Sequence, residues 1–202
     1  MTGLPMLQIA RSDGRVARLA LIRGDITRFP ADAIVNAANS SLAGGAGVDG
    51  AIHNAAGPEL MVELRARYRG CPTGSAVITG AGRLSERGVR HVIHAVGPIW
   101  QGGGRGEAEQ LASAYHAALA LARDVGAVSV AIPAISCGVY GYPLDAAAKI
   151  AIDAVARDLT MPGPVELATF VLFSEVAATA FARALIMGPD RVGEMAEVPD
   201  RG

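Results

Sequence analysis

The sequence predicts an α/β fold, and three observations carry that prediction. Short β-branched runs alternate with longer Ala/Leu-rich stretches of helical period, an Asp-Gly turn near the start joins two apolar runs as a hairpin, and Gly-punctuated loops lie between strands and the helices that follow them. Strand followed by helix, repeated, builds parallel crossovers; the hairpin adds an antiparallel pair. The expected result is a central mixed sheet covered by helices on both faces.

Each element follows from its residues. The apolar runs 7–10 and 16–22 flank Arg11-Ser12-Asp13-Gly14-Arg15, whose Asp-Gly pair is a strong hairpin signal. Strands are then expected over 33–36, 75–79, 91–96, 127–132 and 166–173. Interleaved with them are helical stretches over 50–68, 107–125, 144–159 and 175–187. Within the stretch from Glu107, the residues Leu111, Tyr115, Ala118, Leu119 and Ala122 recur at threes and fours, the pattern of a helix with one face on a sheet. Residues 101–106 and 188–202 are rich in Gly or charge and read as a flexible loop and a flexible C-terminal tail. Residues 1–187 then form one domain.

Composition narrows the function. The chain of 202 residues carries 18 Lys plus Arg against 19 Asp plus Glu, a net charge of −1, so it has no overall field to hold a nucleic-acid backbone or an anionic membrane. Any phosphate contact has to be local. Cys71 and Cys137 are far apart and in no paired pattern, which suggests a reducing compartment and no disulfide. The first residues lack the layout of a secretory signal, and no apolar run reaches membrane-spanning length. A soluble cytoplasmic protein, monomeric by default, is expected.

Gly45, Gly47 and Gly50 spell G-x-G-x-x-G, and the dinucleotide-binding reading of that spacing fails on context. It requires a strand ending at the first Gly and an acidic residue about 20 residues beyond the third. Here the strand stops near Asn36, and Arg69-Gly70-Cys71-Pro72 occupies the place of the acid. What remains is a Gly-rich loop opening a helix, whose backbone N–H groups can meet an anion. The plainer reading is a turn with Asp49 as helix cap.

Three further segments fall just beyond strand ends, where open α/β sheets place their ligands: Gly24-Asp25-Ile26-Thr27, Asn36-Ala37-Ala38-Asn39, and the loop from Ile135 to Pro143. Two Gly-rich loops that each open a helix suit a ligand with two phosphates. The strings GDIT, VNAANSSLAGGAGVDGAIHNAAG, VIHAVGP and ISCGVYGYP resemble the successive motifs of the macrodomain family, in the form of its MacroD-type ADP-ribosyl hydrolases. The resemblance runs in order from about Leu21 to Phe173.

That resemblance implies a three-layer α/β/α fold that binds ADP-ribose and removes it from acidic protein side chains or deacetylates O-acetyl-ADP-ribose. Asp25 would accept from the adenine amine, with the Ile26 backbone beside it; the alternative is a turn-capping Asp. Phe173 would stack on adenine, or else be an ordinary core residue. Ala37, Ala38, Gly44, Gly45, Ala46, Gly47 and Val48 would line the ligand. Ser136, Cys137, Gly138, Val139, Tyr140, Gly141 and Tyr142 would wrap the diphosphate with backbone N–H groups. Cys137 stands where many relatives have Thr, and is read as a small buried filler rather than a nucleophile. Asn39 would fix the distal ribose hydroxyls and Asp49 would orient the attacking water, the ligand's own phosphate being a second candidate for activating it; the alternative for both is capping and bracing of the loop. Tyr140 would lie against the distal ribose. Ala46 replaces a Gly of many relatives, and its methyl group restricts access to positive φ.

His53 follows Asp49 by one helical turn, but no Cys/His cluster completes a metal set, so no metal and no redox cofactor are expected. His91, His94 and His116 read as satisfied core or surface histidines. The expected partners are ADP-ribose, mono-ADP-ribosylated proteins and O-acetyl-ADP-ribose. A non-catalytic ADP-ribose reader is the alternative of a different class, and an NAD-dependent oxidoreductase is a weaker third.

Overall fold

The computed structural model describes residues 5–188 and 194–196. Its elements run β1 (Met6–Ala10), β2 (Val16–Arg23), β3 (Ala33–Ala37), α1 (Gly47–Ala56), α2 (Pro58–Arg67), β4 (Ala76–Gly80), β5 (His91–Ala95), α3 (Glu107–Asp124), β6 (Ser129–Ile132), α4 (Leu144–Leu159), β7 (Leu167–Leu172), α5 (Glu175–Met187) and β8 (Glu194–Ala196). Single 3-10 segments occupy Ile26–Arg28 and Gly82–Arg87.

Among the described residues the eight strands form one sheet in the order β4-β5-β3-β6-β7-β2-β1-β8. The five inner strands from β5 to β2 pair in parallel, and β4, β1 and β8 add antiparallel edges. The mixed sheet is as expected, with a physical reason at the first turn. Gly14 takes φ +79 and the Arg15 amide donates to Asp13 Oδ1, so the Asp-Gly pair closes the β1–β2 hairpin.

Alternation along the inner strands builds both halves of the core. Ala33, Val35, Val130, Ile132, Phe170 and Leu172 face α3, α4 and α5, while Ile34, Ala131 and Val171 face α1 and α2. Helices therefore cover both faces, giving three layers. No helix among the described residues is long and apolar enough to cross a membrane.

Three details depart from the sequence reading. The stretch 50–68 is two helices: Gly57 takes φ +85, Pro58 opens α2, and α1 starts three residues early at Gly47. Residues 129–132 alone form β6, shorter than the run that suggested it. In the expected tail, Glu194–Ala196 pairs with β1, supplying partners for an edge that would otherwise present bare N–H and C=O groups. Residues 189–193 and 197–202 lie outside the described residues.

Topology places the ligand crevice. β3 leads by way of α1, α2 and β4 to β5 on one side, whereas the neighbouring β6 leads through α4 to β7 on the other. Adjacent parallel strands whose connections diverge leave a gap beyond their carboxyl ends, and ligands of open α/β sheets bind there.

Candidate active site

Two adjoining cavities fill that gap. The first, about 320 Å³, lies between Asn39, the Gly45–Asp49 segment and the loop through Ser136 and Tyr140. The second, about 400 Å³, lies between Asp25, Ile26, Cys137 and Phe173. Gly47, Val48, Ala134 and Gly138 border both, so the two form one cleft. Neither is lined by Lys or Arg; the charged lining residues are Asp49 in one and Asp25 in the other.

The glycines of the first loop permit close packing. A methyl group on Gly50 would lie 2.5 Å from the Gly45 carbonyl oxygen, and one on Gly45 would lie 3.0 Å from Asp49 Oδ2. The loop can fold down onto the first turn of α1 because both side chains are absent. Ala46 is the N-cap of α1 at φ −99, ψ 179, an extended conformation open to any residue, so its methyl group is unstrained. The positive φ angles fall on Gly44 and Gly47 instead.

Asp49 is not the helix cap. It sits in the first turn of α1, where a carboxylate also favours the helix dipole, and is 4% exposed. Its Oδ1 accepts from Asn36 Nδ2 at 2.7 Å, and His53 Nε2 lies 3.3 Å away. Asn39 is tied into the first loop. Its Nδ2 donates to the Gly44 carbonyl at 2.7 Å, and its Oδ1 accepts from Ser41 Oγ and the Ala43 amide. It braces the loop as well as lining the cavity, with one amide hydrogen uncommitted.

The second loop is held from within. The amides of Cys137, Gly141 and Tyr142 donate to the carbonyls of Ala134, Gly138 and Ser136, and Trp100 donates to the Tyr140 carbonyl at 2.9 Å. Among the described residues the amides of Gly138, Val139 and Tyr140 have no acceptor in the protein. They line the cleft as ready donors, which is how a chain with no net positive charge can hold a phosphate. Burial and then the Asp49 charge push the Tyr140 hydroxyl above its usual range. Cys137 donates weakly to the Ile135 carbonyl, and burial pushes its thiol up to about 12, which removes the thiolate a nucleophile needs.

At the far end Asp25 takes the capping role and also lines the cleft. Oδ1 caps the 3-10 segment by accepting from the Thr27 amide and hydroxyl at 2.9 and 2.7 Å, while Oδ2 lies 3.9 Å from Arg28 Nε. Capping thus occupies one carboxylate oxygen. Phe173 is 85% exposed, so it is a cleft-edge ring and not a core residue. Gly44, Gly141 and Tyr142 line neither cavity, against expectation. Gly44 and Gly141 provide left-handed turns, and Tyr142 is buried against Trp100 with ring centroids 4.6 Å apart.

Sequence reasoning named Asn36 only within a strand-end segment and His94 only as a core or surface histidine, and it missed Gly97 as a packing position. A methyl group on Gly97 would overlap Ile135 and Ser136, so its absence lets the second loop approach β5. Asn36 and His94 are wholly buried at positions whose parity matches Ile34 and Val92, and polar residues at core positions of a strand were the available signal. Among the described residues no group of three or more His, Cys, Asp or Glu is arranged to hold a metal ion.

With that geometry in place, comparison with known proteins is direct. Residues 35–151 match the Macro domain family. The chain belongs to the macrodomain family. The macrodomain is 49% identical over 178 residues to an O-acetyl-ADP-ribose deacetylase of Citrobacter rodentium, covering 87% of this chain and 99% of the relative. It is 52% identical over 171 residues to the protein of that name from Enterobacter cloacae, covering 83% and 93%. Among solved structures, the Oceanobacillus iheyensis macrodomain with ADP superposes at a TM-score of 0.80 with 40% identity, covering 90% of this chain and 95% of that one. The Trypanosoma brucei macrodomain in complex with ADP-ribose superposes at 0.75 with 37% identity, covering 83% and 68%.

Proposed function

We propose that this macrodomain, through residues 1–187, hydrolyses O-acetyl-ADP-ribose and releases mono-ADP-ribose from Asp and Glu side chains of proteins. The single observation that carries this reading is Asp49. It is a nearly buried carboxylate with one oxygen tied to Asn36 and the other beside Gly45, at the wall of a cavity lined by neutral backbone. Relatives named O-acetyl-ADP-ribose deacetylase that align over nearly their whole length support it.

The chemistry follows from the two ends of the cleft. Adenine takes the end with Asp25 Oδ2 as acceptor and Phe173 as stacking platform. The diphosphate lies over the shared centre, where the Gly138–Tyr140 amides donate. The distal ribose then reaches Asn39, Asp49 and Tyr140. A water held by Asp49 Oδ2 gives up its proton as it attacks the ester, releasing acetate or the protein carboxylate from ADP-ribose. No cofactor takes part. The two free cysteines fit a reducing compartment, and we place the activity in the cytoplasm.

Two substrates test the proposal: purified O-acetyl-ADP-ribose and a glutamate-modified mono-ADP-ribosylated protein, with product measured over time. Release of acetate from the first and ADP-ribose from the second is expected. Tight ADP-ribose binding with neither product would make the protein a reader.

A further inference from the structure

The face of the sheet beneath α1 carries three buried polar side chains on three neighbouring strands: Asn36 on β3, His94 on β5 and Thr79 on β4. Asn36 and His94 are register partners, and Thr79 lies diagonally across the next pair. Their hydrogen bonds run in one direction. Thr79 Oγ1 donates to the Val92 carbonyl at 3.4 Å, which leaves its lone pairs to accept from His94 Nε2 at 3.0 Å. A histidine protonated on Nε2 has a bare Nδ1, and that nitrogen accepts from Asn36 Nδ2 at 3.1 Å. The second hydrogen of the same amide goes to Asp49 Oδ1 at 2.7 Å.

Asn36 Oδ1 is buried with no partner, so nothing holds the amide from its oxygen side. Turned over, the amide would set its oxygen against a carboxylate oxygen of Asp49 and lose both bonds. Asp49, which can only accept, and a bare His94 Nδ1 together hold the amide in the observed sense. A proton on Nδ1 would favour the turned amide; a bare Nδ1 favours the observed one. Burial, and after it the nearby His53, holds the His94 ring down to about 3, so it is neutral over the working pH range. Of the two neutral tautomers, the Nε2–H form lets Thr79 accept and Asn36 donate at the same time.

We propose that His94 and Thr79 are positioning residues for hydrolysis: Thr79 fixes the Nε2–H tautomer of His94, and that tautomer turns the Asn36 amide N–H onto Asp49. The inference rests on Asp49 being the residue that holds the attacking water. With Oδ1 held by Asn36 and His53 Nε2 beside it, rotation of the carboxylate is restricted and Oδ2 is kept on the Gly45 side, at the cavity.

Nitrogen-15 NMR of the His94 ring, joined to steady-state kinetics with O-acetyl-ADP-ribose, tests this. The free wild-type protein is expected to show Nε2 protonated and Nδ1 bare. Thr79→Val, close in volume, is expected to lower kcat about tenfold with KM and ADP-ribose affinity within about twofold. Thr79→Ser, which restores the hydroxyl, should return kcat toward the wild-type value. An Nδ1–H tautomer in the wild type overturns the proposal, with or without a folded Thr79→Val variant. So does a Thr79→Val protein that binds ADP-ribose and turns over like the wild type. Wild-type protein that binds ADP-ribose and releases no acetate instead overturns the hydrolase reading on which the proposal rests.

Discussion

Asp49 and Asp25 stand at opposite ends of one cleft and are built into it differently. The Asp49 side chain is 6% exposed and tied through Asn36 to the interior of the sheet; that of Asp25 is 43% exposed and caps a single 3-10 turn. Phe173 beside Asp25 is largely in solvent, whereas Asn36, which holds Asp49, is wholly buried. On the function proposed above, the difference separates two tasks. A recognition end can be open and locally supported, because a ligand completes it. A reacting end has to be held in advance, because rate depends on geometry already in place.

Breaking the inner end has the largest expected consequence. Asp49→Ala should lower turnover by about 10²- to 10⁴-fold while ADP-ribose affinity, read by calorimetry, changes by less than about tenfold. Next comes Gly50→Ala, which sets a methyl group 2.5 Å from the Gly45 carbonyl oxygen and has to push the loop off α1. A stability loss of about 1–3 kcal/mol and reduced turnover are expected, measured by denaturant unfolding beside the assay. At the outer end, Phe173→Ala should weaken ADP-ribose binding by about 1–3 kcal/mol, with an unfolding midpoint unchanged because the ring is exposed.

The smallest expected effect near neutrality concerns pH. His94 is held down to about 3 when folded, against an ordinary value of 6.5. Between these values the unfolded chain binds a proton that the folded one refuses, so stability rises with pH. Its contribution is full above 6.5 and is lost as pH falls toward 3, at about 1.4 kcal/mol per unit. Replacing His94 by Asn should flatten that part of the acid limb in urea titrations. An unchanged slope would show that the ring takes up a proton in the folded state.

The outer end was more legible in the sequence than the inner one. Phe173, just past the last inner strand, was reached through the family resemblance, while GDIT follows a strand directly, so local order brought Asp25 to the crevice. The strand–helix alternation was legible for the same reason, being written in the period of neighbouring residues. The Gly57–Pro58 break was also present, but Ala- and Leu-rich residues on either side carried the helical pattern across it. Tyr142 was read as a ligand residue because its loop resembles one that wraps a diphosphate with N–H groups; its amide donates to the Ser136 carbonyl and its ring turns into the core beside Trp100. The support of Asp49 was hidden because it is not local. Asn36, Thr79 and His94 meet only through strand register, 15 to 58 positions apart along the chain for the pairs that bond.

The division between a reacting end and a recognition end is tested most directly by single-turnover hydrolysis of O-acetyl-ADP-ribose at saturating protein, comparing Asp49→Ala with Phe173→Ala. Saturation removes differences in affinity, so the observed rate reports the chemical step. The account predicts that Phe173→Ala reaches the wild-type rate once saturated while Asp49→Ala stays slow at every concentration. A saturated Asp49→Ala protein that matches the wild type would contradict it.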